Sequence, residues 1–118
     1  MDRKFLLDEK QKLYEKEYGY IIYKLDENYC DIDLIEIDNA QKNNGLGTKL
    51  LESFICYLES INIEEIYLDA WVTSTGIYKI ETLVNFYKKF GFFETGRLED
   101  DGQTRVFMLL KINERKAA

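Results

Sequence analysis

Gln41-Lys42-Asn43-Asn44-Gly45-Leu46-Gly47-Thr48 lies between two segments whose patterns decide how it reads. Before it, from about Tyr29 to Ile37, β-branched and apolar residues alternate with acidic ones, which predicts a strand. After it, Leu46, Leu50, Leu51, Phe54, Ile55 and Leu58 recur with the 3.6-residue period of an amphipathic helix over residues 45–60. The octet is therefore a strand-to-helix loop. Amides at a helix N-terminus have no partner within the helix, and the positive end of its dipole lies there, so an anionic group such as phosphate is favoured. Gly45 and Gly47 let the backbone approach such a group without a Cβ in the way, and Asn43 and Asn44 are cap residues. Glycine at a helix start is also common for purely structural reasons. The pattern lacks the third glycine of a dinucleotide fingerprint and the Gly-Lys-Ser/Thr of a Walker loop.

The strand before the loop has an irregularity. Ile32 and Leu34 alternate with Asp31 and Asp33, then Ile35 and Ile37 alternate with Glu36, so the apolar phase slips by one between Leu34 and Ile35. An uncorrected slip would turn the later side chains to the wrong face, and a β-bulge with one extra residue restores the phase. A strand covered on both faces would also tolerate the pattern.

Working outward, residues 2–16 carry Phe5, Leu6, Leu13 and Tyr14 on roughly one face and read as an amphipathic helix. Tyr20 to Tyr23 reads as a strand, with turn residues Asp26-Glu27-Asn28 leading into the next. Glu65 to Trp71 reads as a strand and residues 72–78 as a loop. Ile80, Leu83, Val84, Tyr87 and Phe90 mark a helix that Gly91 stops. Phe92 to Leu98 and Val106 to Ile112 are strands joined by a hairpin with Asp101-Gly102 at its turn, and residues 113–118 form a polar tail. The strand-helix-strand unit predicts a parallel pair in the middle of the sheet, and the hairpins predict antiparallel edges. The chain reads as one α/β domain, residues 1–118: a mixed, mostly antiparallel sheet with helices on both faces.

At 118 residues a single domain with a modest core is expected. Nine Tyr, seven Phe and one Trp argue against disorder. The net charge of −6 disfavours nucleic acid, whose binding needs basic patches, and makes a cationic partner easier to attract; it also serves solubility alone. Apolar runs are too short to span a membrane, and the segment after Met1-Asp2-Arg3-Lys4 is charged and not an apolar signal core, so a cytoplasmic protein is expected. Cys30 and Cys56 match no metal or redox spacing and read as small buried or half-buried thiols. The absence of histidine excludes Ser-His and Cys-His catalysis and most zinc sites, and no metal is expected.

The loop, in this context, resembles the GNAT (Gcn5-related N-acetyltransferase) superfamily, whose pattern Gln/Arg-x-x-Gly-x-Gly/Ala appears here as Lys42-Asn43-Asn44-Gly45-Leu46-Gly47. A second family segment, near Tyr-x-Lys-x-Gly-Phe, appears as Phe86-Tyr87-Lys88-Lys89-Phe90-Gly91-Phe92. The two lie in the family's order with a strand between them, and the resemblance covers residues 17–112. Lys42 departs from the usual Gln or Arg and offers a point charge where Arg would be a fork. Ile80 stands where the family often has an Asn that contacts the coenzyme. The region before Gly19 is short, where the family usually has a strand and two helices walling the acceptor pocket, so that pocket is expected to be open or completed by a second subunit, a homodimer.

What the resemblance implies is an acetyl-CoA-dependent N-acetyltransferase, with a non-catalytic acyl-CoA-binding or regulatory module as the other reading. Backbone amides of Asn43, Asn44, Gly45, Leu46, Gly47 and Thr48 would cradle the coenzyme pyrophosphate, with Lys42 and Lys89 among the contacts. Pantetheine would pair with the strand at Ile35 and Ile37, and a bulge there would free Ile37 N–H to face the thioester carbonyl. Tyr87 stands where the family often places a general acid, although its helical spacing also suits a core tyrosine. With no histidine, the base is a carboxylate, a tyrosine or water. Glu36, on the face opposite Ile35 and Ile37, is the first candidate and a solvated edge position is its alternative; Asp33 and Asp69 follow. Trp71 and Tyr78 are candidate acceptor-site walls. The acceptor implied is an amine, cationic by the charge argument.

Overall fold

The computed structural model describes residues 7–37, 45–71, 80–100 and 102–117. Six strands form one sheet: β1 (Gln11–Lys16), β2 (Gly19–Asp26), β3 (Tyr29–Ile37), β4 (Glu65–Trp71), β5 (Phe93–Asp100) and β6 (Gln103–Lys111). The helices are α1 (Leu46–Ser60), α2 (Ile80–Lys88) and a short α3 (Ile112–Ala117). The sheet order is β1-β2-β3-β4-β6-β5. Only β3 and β4 are parallel, as the strand-helix-strand unit predicts, and every other pair is antiparallel.

Two segments differ from their sequence-based expectation. The stretch read as a helix over 2–16 supplies β1, which pairs Leu13 with Ile22 and Tyr14 with Ile21; residues 1–6 lie outside the described residues. Alternation, not helical spacing, is what the pairing uses. Tyr14 turns inward, its ring 5.1 Å from Phe54 and its hydroxyl 2.7 Å from Ser53 Oγ. Ile112, expected to end the last strand, instead begins α3, which takes in the polar tail as far as Ala117; Ile112 is buried, and its N–H donates to Glu64 O at 2.9 Å.

The register shows which side chains share a face. Ile21, Tyr23, Ile32, Leu68, Val106 and Met108 all point to one face, where they form one core with Leu50, Phe54 and Leu58 of α1 and Val84 and Tyr87 of α2. Both long helices therefore lie on this face. The expectation of helices on both faces is met on one only, among the described residues: the opposite face leaves Tyr67, Trp71, Phe107 and Leu98 exposed. Gly19 fixes the start of β2, because a Cβ there would sit 2.5 Å from Glu36 O and 2.8 Å from Ile37 Cδ1.

The bulge expected from the apolar slip is present, slightly earlier than the slip itself. Tyr23 pairs with Ile32 and Ile22 with Leu34, so Asp33 is the extra residue. Beyond it Leu34 faces away from the core and is exposed, while Ile35 and Ile37 return to the helix face beside Ile21. The parallel pairing with β4 stops at the same point: Ile32 pairs with Leu68 and no pair follows. From there β3 and β4 diverge, and among the described residues the edge of β3 from Asp33 to Ile37 has no strand partner on the β4 side.

Candidate active site

The divergence of β3 and β4 opens the site. Two cavities meet along it. One, of about 300 Å³, lies in the gap between the strands, with Leu34, Asp69 and Trp71 toward the open face and Leu68, Leu83 and Tyr87 toward the helices. The other, of about 380 Å³, runs from the gap to the start of α1 and is lined by Ile37, Gly45, Gly47, Thr48, Thr82 and Phe86. Ile35, Glu36, Leu83 and Tyr87 line both.

At the end of the second cavity α1 begins on Gly45, whose φ of 75° is a left-handed conformation that a side chain would strain. Gly45 is the cap residue, where the sequence suggests Asn43 and Asn44, and among the described residues no side chain caps this end. The first helical bond runs from Lys49 N–H to Gly45 O at 3.2 Å, so the amides of Leu46, Gly47 and Thr48 have no partner within the helix. A Cβ at Gly47 would point at Phe86 Cζ, 3.6 Å away, and Ile37 Cγ1, 3.9 Å away, both in the cavity wall. Amides without a partner in the helix, a helix dipole and space left by a missing side chain together suit a phosphate group. Lys42, Asn43 and Asn44, like Tyr78, lie outside the described residues. Lys89 is exposed just past α2 and lines neither cavity.

Tyr87 is the core tyrosine that its helical spacing predicts, and it stands at a cavity wall as well. Its ring is packed in the core, 5.4 Å from Phe86 and 5.8 Å from Phe92, and it also lines both cavities where they join. Burial pushes its phenol up to about 12, so it is protonated across the physiological range and can donate. Glu36 is half-buried on the same junction, on the face opposite Ile35 and Ile37 as alternation requires, with interactions of its own. Asp33, the bulge residue, accepts from Gln11 Nε2 at 2.9 Å and pairs with Lys24 Nζ at 3.4 Å. Asp69 Oδ2 accepts from Arg105 Nε at 2.9 Å and from Arg105 Nη2. Cys30 is buried, its thiol pushed up by burial, while Cys56 is exposed and not half-buried as its pattern suggested. Among the described residues no group of three or more acidic or cysteine side chains could hold a metal, and no helix is long and apolar enough to cross a membrane.

Three residues lining the second cavity were not site candidates in the sequence: Thr82, Leu83 and Phe86. Leu83 is one turn before Tyr87 and Phe86 is adjacent, so the helical period could have found them once Tyr87 was placed in a cavity.

A family model described as "Acetyltransferase (GNAT) family" matches residues 13–92. The chain belongs to the GNAT acetyltransferases. Solved structures of the same fold include a ribosomal-protein-alanine N-acetyltransferase from Escherichia coli, 20% identical over 90% of this chain and 72% of that one, with a TM-score of 0.70. A spermidine N-acetyltransferase chimera from Vibrio cholerae and hSSAT is 18% identical over 94% of this chain and 74% of its own, with a TM-score of 0.75. An aminoglycoside 6'-N-acetyltransferase complexed with coenzyme A is 16% identical over 89% and 74%, with a TM-score of 0.68. At these identities the likeness shows the fold, and the GNAT chain is shorter than each of them.

Proposed function

We propose that this GNAT protein is an acetyl-CoA-dependent N-acetyltransferase that moves an acetyl group to a primary amine by direct attack on the thioester. One observation carries this reading: two cavities, one ending at the N-terminus of α1 and the other in the gap between diverging strands, meet at Ile35, Glu36, Leu83 and Tyr87. The amides of Leu46, Gly47 and Thr48 hold the coenzyme's pyrophosphate, with Asn43, Asn44 and Lys42 completing the loop. The unpaired edge of β3 at Ile35 and Ile37 receives pantetheine in the manner of an added strand, and a backbone N–H there faces the carbonyl where negative charge develops.

Acetyl-CoA supplies an activated acyl group on a thiol leaving group. The remaining demands are proton transfers. An alkyl ammonium with a pKa of about 10.4 must lose a proton before it can attack. Glu36, at the junction and on the face opposite the Ile35 and Ile37 side chains, takes that proton directly or through water. Tyr87, neutral and facing both cavities, returns one to the departing thiolate. The net charge of −6 favours a cationic acceptor.

The other reading, a non-catalytic acyl-CoA-binding module, is favoured by Ile80 in place of an amide side chain at the start of α2. It shares the coenzyme site and differs in product. Incubation with acetyl-CoA and an amine panel separates them: acetylated amine with free thiol supports the enzyme, and acetyl-CoA binding without either supports the module.

A further inference from the structure

Strand β4 carries a carboxylate that the acyl-transfer chemistry above leaves unused. Leu68 and Ala70 point into the core, so Asp69 between them points to the open face of the sheet. Arg105, directly across the β4–β6 pair from Trp71, occupies Oδ2 of this carboxylate. Oδ1 is enclosed and has no hydrogen-bond partner, the one buried side-chain oxygen or nitrogen in that condition among the described residues. Leaving a carboxylate oxygen without a donor is costly, and such an orphan in a folded protein calls for a partner that arrives later.

The place where a partner would arrive is the gap. Asp69 lines it together with Trp71 on the open side and Tyr87 on the helix side. The terminal torsion of aspartate is broad, so a small turn presents Oδ1 to a donor in the gap while the half-exposed Arg105 side chain follows Oδ2. The surroundings suit a cation. Trp71 is exposed beside the gap, and Phe107 already carries a guanidinium, that of Arg105, 6.0 Å from its ring centre. The other carboxylates here are engaged: Asp33 by Gln11 and Lys24, and Glu36 by contacts of its own.

We propose that Asp69 anchors a second ammonium of the acceptor, so that the preferred substrate is an aliphatic diamine or polyamine. This rests on the N-acetyltransferase reading. Asp69 opens to one face of the sheet and Tyr87 belongs to the helices on the other, and the gap joins them. An extended diamine can enter it, with the remote ammonium held at Asp69 and the other nitrogen reaching the junction of the two cavities, which Glu36 lines from the open face and Tyr87 from the helix side. The two nitrogens need opposite treatment: the reacting one loses its proton, and the remote one keeps it and pairs with the carboxylate.

The test compares putrescine with butylamine, which has the same carbon chain and one amine fewer. Steady-state rates with acetyl-CoA are measured for the wild-type protein and for Asp69→Asn, with acetyl-CoA affinity as the check that the variant is folded. The wild type should favour putrescine by about tenfold or more in kcat/KM, the worth of one charged hydrogen bond. Asp69→Asn should erase most of that ratio, chiefly through KM for putrescine. A wild type without the preference, or a folded variant that keeps it, overturns the anchor. If the wild type acetylates other primary amines but neither of these two, the anchor is overturned and the N-acetyltransferase reading stands; if it acetylates no amine of a wider panel, that reading itself has failed, and the anchor is then judged by calorimetry: putrescine binding to the wild type that Asp69→Asn removes supports it, and no binding overturns it.

Discussion

Replacing Gly47 with Glu should separate stability from coenzyme affinity. Gly47 lies in the first turn of α1, and a Cβ there would make only ordinary contacts, 3.6 Å to Phe86 Cζ and 3.9 Å to Ile37 Cγ1. The backbone therefore accepts a side chain, and replacing a helical glycine gains up to about 1 kcal/mol. The first turn of α1 has no acidic residue, so a carboxylate there also meets the positive end of the dipole favourably, by about 0.3–1 kcal/mol. Stability should thus hold or rise. Binding should collapse, because the new side chain enters the cavity that ends on the amides of Leu46, Gly47 and Thr48 and sets a negative charge against the pyrophosphate. Losing two charge-assisted hydrogen bonds of about 1.5–3 kcal/mol each amounts to roughly 10²- to 10⁴-fold in affinity. Acetyl-CoA titration by calorimetry, with thermal unfolding of the same samples, reads both quantities. A folded Gly47→Glu variant that binds acetyl-CoA within about tenfold of the wild type would refute the cradle.

Tyr87→Phe should lower kcat while leaving acetyl-CoA affinity near the wild-type value; an unchanged kcat would remove Tyr87 as the acid. The same phenol makes a pH prediction: its folded value of about 12 lies above the unfolded value near 10, so its contribution is fully present below pH 10 and lost as pH rises through 12, about 3 kcal/mol in all. Denaturation at pH 8 and pH 11 should show a smaller loss for Tyr87→Phe than for the wild type, and equal losses would contradict the burial argument. Gly45→Ala meets open space but a φ of 75°, so it should cost about 1 kcal/mol by strain alone, measured by chemical denaturation. Phe54→Ala removes a fully buried ring lying 5.1 Å from Tyr14 and 4.8 Å from Tyr23, and should cost about 3–5 kcal/mol in the same measurement.

The parts of the fold that the sequence reveals are those whose local pattern and tertiary role agree. The leucine stripe of α1, the alternation in β4 and the Asp-Gly hairpin are self-contained signals: α1 and β4 stand within a residue of their expected places, and the hairpin is present, although β6 begins at Gln103 where the pattern predicts Val106. The bulge was readable because the apolar phase records it, although the pairing inserts Asp33 and the pattern points one residue later. β1 was not readable, because Leu13 and Tyr14 are adjacent and fit either period; only the pairing of Tyr14 with Ile21 and its packing on Phe54 decide for a strand. The divergence of β3 and β4 also leaves no local mark, since β4 keeps alternating through Trp71 after its pairing to β3 has ended at Leu68. The candidate site inherits this division. Gly45, Gly47, Glu36 and Tyr87 carried signals of their own, and the structure brings them to two joined cavities. The Asp69–Arg105 contact spans 36 residues and depends on the register of β4 with β6, which no single segment encodes.

The most direct test of the proposed activity is coupled detection of free thiol and acetylated amine when the purified protein is incubated with acetyl-CoA and a panel of primary amines. Stoichiometric release of thiol with an acetylated acceptor, abolished in Gly47→Glu and slowed in Tyr87→Phe, is the expected result. Tight acetyl-CoA binding with no thiol and no acetylated amine from any acceptor would contradict it.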